Sequence, residues 1–222
     1  MTEEPGIRVE ADGPYRVTGG IPLAWTAQEE TPFGEPVGWT PPESIPTDSS
    51  YALCRCGRSA TMPICDERHA AEPWDAAEDA DDGDRSERAK SYVREGIVMS
   101  DDRSLCTHAG FCGDRFTNVW QMLADTADPE VLARLRTMVE LCPSGSLAHA
   151  PAPGEEHVEP PFEPSIAVDV DGPLLVRGGI AVTSADGRVY ELRNRVTLCR
   201  CGHSSNKPFC DGSHKEFGFG DA

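Results

Sequence analysis

Cysteine and histidine residues with regular spacing are the groups in this chain that could do chemistry. All nine cysteines fall into three sets of three, and two of the sets repeat the pattern C-x-C-x8-C-x3-H. The repeated residues are Cys54, Cys56, Cys65 and His69 in the first copy, and Cys199, Cys201, Cys210 and His214 in the second. The third set has the pattern C-x5-C with a distant C-P and consists of Cys106, Cys112 and Cys142. Thiolates and imidazoles are ligands for soft transition metals and iron–sulfur clusters. The pattern therefore predicts metal binding, with three iron–sulfur clusters as the favoured interpretation.

Disulfide bonds are the competing explanation for so many cysteines. An odd number leaves one thiol without a partner, and the start MTEEPGIRVE lacks the basic and apolar regions of a secretion signal. No run of about 18 apolar residues is present in the sequence, so we expect no membrane span. The sequence therefore predicts a cytoplasmic protein, in which thiols stay reduced and available to metals.

The repeated pattern contains two pairs of ligands. Residues i and i+2 of an extended segment point to the same side, so Cys199 and Cys201 can hold one metal atom. Residues i and i+4 of a helical turn share a face, so Cys210 and His214 can hold a second atom. Two pairs suit a core of two irons and two sulfides. A single zinc ion is the alternative, but zinc sites normally contain C-x2-C, which neither copy has.

The second copy resembles the CDGSH (NEET) iron–sulfur family over its whole signature, C-x-C-x2-[ST]-x3-P-x-C-D-G-[SAT]-H. The resemblance implies a [2Fe-2S] cluster bound by the three cysteines and the histidine of each copy. Further residues match the signature and are candidates for the metal or its surroundings: Ser204 and Asp211 in the second copy, and Ser59 and Asp66 in the first.

The first copy departs from the signature at Glu67 and Arg68, where the family has glycine and a small residue. If the glycine position requires a positive φ, Glu67 strains the loop. All four ligands of the first copy are nevertheless present, so we expect a cluster there as well.

The middle set looks like a ferredoxin loop that lacks one ligand, because Ala109 stands where the common C-x2-C-x2-C loop has its central cysteine. The pattern C-x5-C with a distant C-P resembles ferredoxins with one [3Fe-4S] cluster. The combination of C-x-H-x-G-x-C and C-P-S-G resembles the divergent mono-cluster domain found beside CDGSH motifs, described as [4Fe-4S]. We predict [3Fe-4S], because three cysteines hold three irons, with [4Fe-4S] as the alternative. His108 is a candidate fourth ligand, and its alternative role is a loop residue that hydrogen-bonds nearby backbone.

An internal repeat beyond the cysteines predicts the fold. The pattern DGP-x2-V-x-GGI occurs at residues 12–21 and 171–180, and alternating apolar residues precede both copies. We predict an α+β protein with two small β-rich CDGSH units. Resemblance to tandem family members implies that these units form an intramolecular pseudo-dimer. A small ferredoxin-like module is inserted between them, and Asp128 followed by Pro129 predicts its helix at 129–140.

Composition shifts along the chain predict four segments. They are the first CDGSH unit at 1–75 with a proline-rich loop at 22–50, an acidic linker at 76–95, the cluster module at 96–153, and the second CDGSH unit at 154–222. Ten acids lie between Asp66 and Glu87, against two arginines. We interpret this stretch as a solvated linker, which can also steer a basic redox partner.

The net charge of −18 argues against nucleic-acid binding, which needs clustered lysines and arginines. We predict electron transfer between redox proteins, with a partner that has a basic docking surface. The alternatives are donation of iron–sulfur clusters, sensing of redox state or iron, and a purely structural role for metal. We expect no enzyme activity, because a substrate site for an open iron would need acid–base residues that the sequence does not assemble. The pseudo-dimer predicts a monomer.

Overall fold

The computed structural model describes residues 4–221, so the outer ends of the two predicted CDGSH units, at residues 1–3 and 222, lie outside the described residues. It is a mixed α+β protein made of small sheets and few helices. The strands are β1 (Gly6–Val9), β2 (Tyr15–Thr18), β3 (Leu23–Thr26), β4 (Gln28–Glu30), β5 (Pro36–Trp39), β6 (Glu43–Ile45), β7 (Tyr51–Leu53), β8 (Lys90–Arg94), β9 (Ile97–Asp101), β10 (Leu147–Ala150), β11 (Ser165–Asp169), β12 (Leu174–Arg177), β13 (Val182–Thr183) and β14 (Arg195–Leu198). The α-helices are α1 (Arg85–Arg88), α2 (Val119–Met122), α3 (Pro129–Glu140) and α4 (Ser213–Glu216), with short 3-10 helices at Arg68–Ala70 and Arg103–Leu105.

Two sheets contain the repeat, and each takes strands from both halves of the chain. Their orders are β13-β1-β2-β7 and β14-β12-β11-β3-β6. β1 pairs in parallel with β13, so that Ile7 lies opposite Val182. β3 pairs in parallel with β11, so that Leu23 lies opposite Ile166. Each half of the chain therefore completes a sheet of the other half.

One hydrophobic core joins the two sheets. Alternate residues of the paired strands are buried in it, including Ile7 and Val9 from β1 and Ile166 and Val168 from β11. Burial of each such side chain contributes about 1.5–3 kcal/mol. The alternation in the sequence therefore predicted these strands correctly, because one face of each strand lies in the core.

The proline-rich segment 22–50 was expected to be a loop, but it contains β3 to β6. Pro36 is the first residue of β5, a position where proline removes no hydrogen bond from the interior of a sheet. β4 and β5 form a hairpin that lies against the middle module, where Gln28 Nε2 donates to the carbonyl of Ala109 at 3.0 Å.

The middle module has its own core between a sheet of order β10-β9-β8 and helices α2 and α3. Its first strand, β8, lies in the segment 76–95, which was predicted to be a linker. β8 pairs antiparallel with β9, which begins three residues after β8 ends, so the two strands form a hairpin of the middle module. Helix α3 covers the predicted range, and the Asp128 side chain caps it by accepting a hydrogen bond from the backbone N–H of Glu130 at 2.8 Å.

The interpretation of the acidic stretch as a solvated linker is wrong for residues 78–82, which contact the second half of the chain. Ala80 is 6% exposed within the main core. Glu78 accepts hydrogen bonds from the hydroxyl of Tyr190 at 3.1 Å and from the backbone N–H of Ala185 at 2.9 Å. Asp82 pairs with Arg188 at 2.9 Å. These acids therefore attach the segment to the second half of the chain. Among residues 4–221, no helix is long and apolar enough to cross a bilayer.

Candidate metal centres

Each ligand pair of the repeated pattern has the spacing that a tetrahedral metal atom requires. In the first half, the Sγ atoms of Cys54 and Cys56 lie 3.7 Å apart, and Cys65 Sγ lies 3.5 Å from His69 Nδ1. The corresponding distances in the second half are 3.6 and 3.4 Å. Metal bonds of about 2.3 Å to sulfur and about 2.1 Å to nitrogen, at a tetrahedral angle, place the two ligand atoms about 3.6–3.8 Å apart. The donor atoms therefore fit one metal atom per pair.

The pairs do not combine into a site for a single ion. Among the described residues, no three side chains of histidine, cysteine, aspartate or glutamate are arranged to hold one metal ion. The four ligands of each copy are therefore arranged as two separate pairs.

An arginine between the first two cysteines anchors each C-x-C segment. Arg55 and Arg200 are both 1% exposed. Arg55 Nε donates to the carbonyl of Gly13 at 2.9 Å, and Arg200 Nε donates to the carbonyl of Gly172 at 2.7 Å. These glycines belong to the two DGP turns, which explains why that turn recurs with the cysteines. The sequence analysis missed both arginines, although an arginine at the same place in both copies was the available signal.

The candidate serines and aspartates hold the loop that carries the third cysteine. Ser59 and Ser204 each donate to the backbone carbonyl of the residue before that cysteine, at 2.6 and 2.7 Å. Asp66 and Asp211 each accept a hydrogen bond from the backbone N–H of the residue after the serine, at 2.8 Å. Asp211 also accepts from the backbone N–H two residues on, at 3.0 Å, as expected of a capping residue. These contacts describe supporting roles around the ligands.

The surroundings of the ligands shift some pKa values toward the form that binds metal and others away from it. The neighbouring thiol raises the pKa of Cys56 and of Cys201, and burial raises the pKa of Cys65 and of Cys210. A hydrogen bond from the Cys56 thiol, together with backbone N–H groups, lowers the pKa of Cys54 to about 6. Cys201 and backbone N–H groups lower the pKa of Cys199 to about 6 in the same way. Burial lowers the pKa of His214 to about 4, so its imidazole is neutral at physiological pH. Thiolate and neutral imidazole are the forms that metals require.

The two copies differ in exposure. Cys65 and His69 are partly exposed, whereas Cys210 is 2% and His214 6% exposed. The difference arises because the middle module lies against the second copy. Lys215, next to His214, donates from Nζ to the carbonyl of His108 at 2.7 Å.

Gly212, the residue before α4, is the counterpart of Glu67 in the first copy, and the two positions differ in their surroundings. Gly212 has a φ of +91°, and a Cβ there would lie 3.0 Å from His108 Cδ2 and 3.1 Å from the carbonyl oxygen of Thr107. Glu67 has a φ of +65°, which is the strained conformation that the family signature predicted, and its side chain is exposed. A side chain at Gly212 would therefore be crowded by the middle module, whereas the side chain of Glu67 in the first copy is exposed.

The three cysteines of the middle set line one cavity of about 210 Å³: Cys106, Cys112 and Cys142. On the same measure of cavity volume, one water molecule needs roughly 10–15 Å³, so the cavity has room for a multinuclear group. His108 and Trp120 also line it. His108 has a φ of +55°, and its ring lies between this cavity and Gly212. Burial raises the pKa of the Cys112 thiol.

Arg195 joins the middle module to the second half beside this cavity. Its side chain is 2% exposed. Its Nη1 atom donates to the carbonyls of Val139, Glu140 and Cys142, at 3.0, 3.0 and 2.8 Å. Glu159 pairs with the same guanidinium group at 2.7 Å. Arg195 therefore fixes the end of α3 and the backbone of one ligand.

The two C-x-C segments also contact each other. Cys56 and Cys201 form an isolated antiparallel β-bridge. The hydroxyl of Tyr15, from the first half, donates to the carbonyl of Cys199 at 2.7 Å and to that of Pro208 at 3.0 Å. The ligand loops of both halves therefore share one hydrogen-bonded structure.

The fold and these donor sets define an iron–sulfur protein, and comparison with known families agrees. Residues 12–70 and 171–215 match the family described as iron-binding zinc finger CDGSH type. Residues 92–150 match the family described as divergent 4Fe-4S mono-cluster. The chain therefore belongs to the tandem CDGSH proteins and has a mono-cluster domain inserted between its two CDGSH regions. No curated protein matches the chain, and no solved structure does.

Proposed function

We propose that this chain carries electrons between redox proteins, using two [2Fe-2S] clusters with three cysteines and one histidine each, and one three-cysteine cluster. The observation that carries the proposal is the spacing of the four outer ligand pairs, 3.4–3.7 Å between ligand atoms, beside a separate cavity lined by three further cysteines. When bound, such clusters supply reversible one-electron oxidation and reduction.

The residues around the ligands support a role in redox chemistry. Arg55 and Arg200 place a buried positive charge on the residue between the two cysteines of each C-x-C segment, and positive charge near a cluster stabilises an added electron. A neutral imidazole in place of a thiolate at His69 and His214 acts in the same direction. The chain thus favours the reduced form in both outer sets.

The middle set is proposed to hold either three or four irons. Three cysteines are enough for [3Fe-4S], whereas the matched family and the position of His108 on the cavity wall support [4Fe-4S]. We propose no enzyme activity for this cavity. The residues described around it include Arg103 and His108 but no carboxylate to act with them in acid–base chemistry.

The exchange of strands between the halves supports an internal pseudo-dimer and hence a monomeric protein, since β1 and β3 already pair with strands of the other half. The net charge of −18 supports a redox partner with a basic docking surface. We propose that the protein works in the cytoplasm, where its thiols would remain available to iron.

Cluster donation is a second candidate function, and the partial exposure of Cys65 and His69 favours it. An exposed ligand pair could be reached by an acceptor protein. Incubation with an apo-ferredoxin separates the two functions. A donor loses iron to the acceptor, whereas an electron carrier keeps its iron through repeated reduction and oxidation.

Iron and acid-labile sulfide per chain, measured on anaerobically purified protein with EPR spectra before and after dithionite, tests the proposal. We expect seven irons and an EPR signal in the oxidised state for [3Fe-4S], or eight irons and no signal until reduction for [4Fe-4S]. The variant Cys199→Ser should lose two of these irons. Zinc in place of iron, or a spectrum that does not return on reoxidation, would contradict the proposal.

A further inference from the structure

The middle set and the second outer set are in direct contact through their ligand loops. Gly212, between the ligands Cys210 and His214, packs closely against Thr107 and His108, since a Cβ there would lie only 3.0 Å from His108 Cδ2. Asn206 Nδ2 donates to the carbonyl of Ser104 at 2.7 Å, beside the same contact. The two loops also line a shared cavity of about 410 Å³, which includes Ala109, Pro143 and His214.

The first and second outer sets are also in contact, through Cys56 and Cys201. A Cβ at Gly57 would lie 2.3 Å from the carbonyl oxygen of Cys201, and one at Gly202 would lie 2.7 Å from that of Cys56. By contrast, among the described residues no hydrogen bond joins the loop 54–69 to residues 106–142. The first and middle sets each have the second set as their neighbour.

From these contacts we infer that the three ligand sets form a linear series, with the Cys199–His214 set between the other two. This inference rests on the proposed electron-transfer function and adds the order of the sites. Electrons that enter at the Cys54–His69 set reach the Cys106–Cys142 set by way of the central set, or travel the same path in reverse. Each transfer moves one electron and neither makes nor breaks a bond. With clusters bound, the metal held by one set would be oxidised as the metal held by the next is reduced. A one-electron protein carrier would supply the electron at one end of the series, and a second carrier would accept it at the other end.

The differences between the copies fit this order. The central set is covered, with His214 6% exposed, because segment 107–109 lies on it. The first set keeps partly exposed ligands and carries the exposed Glu67 where the central set has the crowded Gly212. Exchange of electrons with an external carrier requires an exposed set at the end of the series. Transfer inside the chain requires only a covered set at its centre.

Two full-length holoprotein variants test the order, each lacking one outer set. Cys54→Ser leaves the central set as the only outer signal, and Cys199→Ser leaves the first set. After anaerobic reduction with dithionite, EPR power saturation measures how strongly the middle paramagnet relaxes the remaining outer signal. We expect broadening and fast relaxation in Cys54→Ser, and their loss in Cys199→Ser. Equal behaviour of the two variants would overturn the order.

A second pair of variants tests the contact itself without removing a ligand. Gly212→Glu, in the Cys54→Ser background, introduces the residue that the first copy carries and should abolish the broadening. Glu67→Gly, in the same background, is the matched control and should leave it unchanged. If Gly212→Glu does not fold, Lys215→Ala removes only the hydrogen bond to His108 and should weaken the broadening. Broadening unchanged in both contact variants would overturn the inference.

The same samples distinguish a failure of the electron-transfer function from a failure of the proposed order. If reduction by dithionite cannot be reversed, the electron-transfer function fails, and the order fails with it. If reduction is reversible but the outer signals do not distinguish the two ligand variants, the order alone fails.

Discussion

Replacing Asp169 with asparagine should stabilise the protein at alkaline pH. Asp169 is the last residue of β11 and is 9% exposed. Burial raises its pKa to about 7, although the positive charges of Arg200 and Lys215 act in the opposite direction. Its carboxylate lies against Gly172, where a Cβ would be 2.5 Å from Oδ2. The ionised form is therefore poorly accommodated in the folded state.

The magnitude follows from the difference between the folded pKa of about 7 and the ordinary value of 3.8. Below pH 3.8 the residue is protonated in both states, and its favourable contribution is fully present. As the pH rises toward 7, the unfolded chain ionises first, so stability is lost. At about 1.4 kcal/mol per pKa unit, the loss is roughly 1.5 kcal/mol at pH 5 and at most about 4 kcal/mol at pH 8. Asparagine is neutral at every pH and recovers these amounts.

Thermal unfolding of the anaerobic holoprotein at one scan rate, at pH 5 and pH 8, measures this effect. At roughly 2–4 °C per kcal/mol, the gain in Tm of Asp169→Asn should be about 5–10 °C larger at pH 8 than at pH 5. Glu10→Gln is the matched control, because Glu10 holds the equivalent place in the first half and pairs with Arg16 at the surface. A gain that does not grow with pH, or a loss at pH 8, would refute the reasoning.

Three further changes act at the ligand loops. Arg195→Ala removes the donors to the carbonyl of Cys142 and its neighbours, at a cost of about 3–5 kcal/mol, so purified protein should lack the iron of the middle set. Full iron content would contradict this. Asp221→Asn removes the carboxylate paired with Arg200 and should raise the midpoint potential of the second set by tens of millivolts, at about 60 mV per 1.4 kcal/mol, in an EPR-monitored redox titration. A lower potential would show that the pair has no such effect. His214→Cys replaces a neutral ligand with an anionic one and should lower that potential and slow acid decay of the visible absorbance, and unchanged decay would count against histidine ligation.

The spacing of the outer ligands could be read from the sequence because it depends on local geometry. A C-x-C segment in extended backbone brings Cys199 and Cys201 to one side, and a turn brings Cys210 and His214 together, whatever surrounds them. The strands around Ile7 followed from alternation for the same reason. The start of α3 also followed from local signals, since the N-capping residue Asp128 acts within one turn.

The contacts between modules could not be read in this way. The exchange of β1 and β3 between the sheets depends on which distant strand edge is free, and no local pattern encodes that. The burial of Ala80 needs a surface that only the second half provides. The covering of His214 depends on where the inserted module lies, so the sequence showed Gly212 and Glu67 as a mismatch without its steric reason.

The strand exchange has a consequence for biosynthesis. As the chain leaves the ribosome, Ile7 and Leu23 emerge long before their partners Val182 and Ile166. The edges of β1 and β3 that pair with β13 and β11 therefore stay unpaired until residues 166–183 have been translated, and exposed strand edges are sites of aggregation. Iron delivered early would find the first four ligands without their final scaffold. Residues 166–183 must therefore be translated before the first four ligands have their final scaffold.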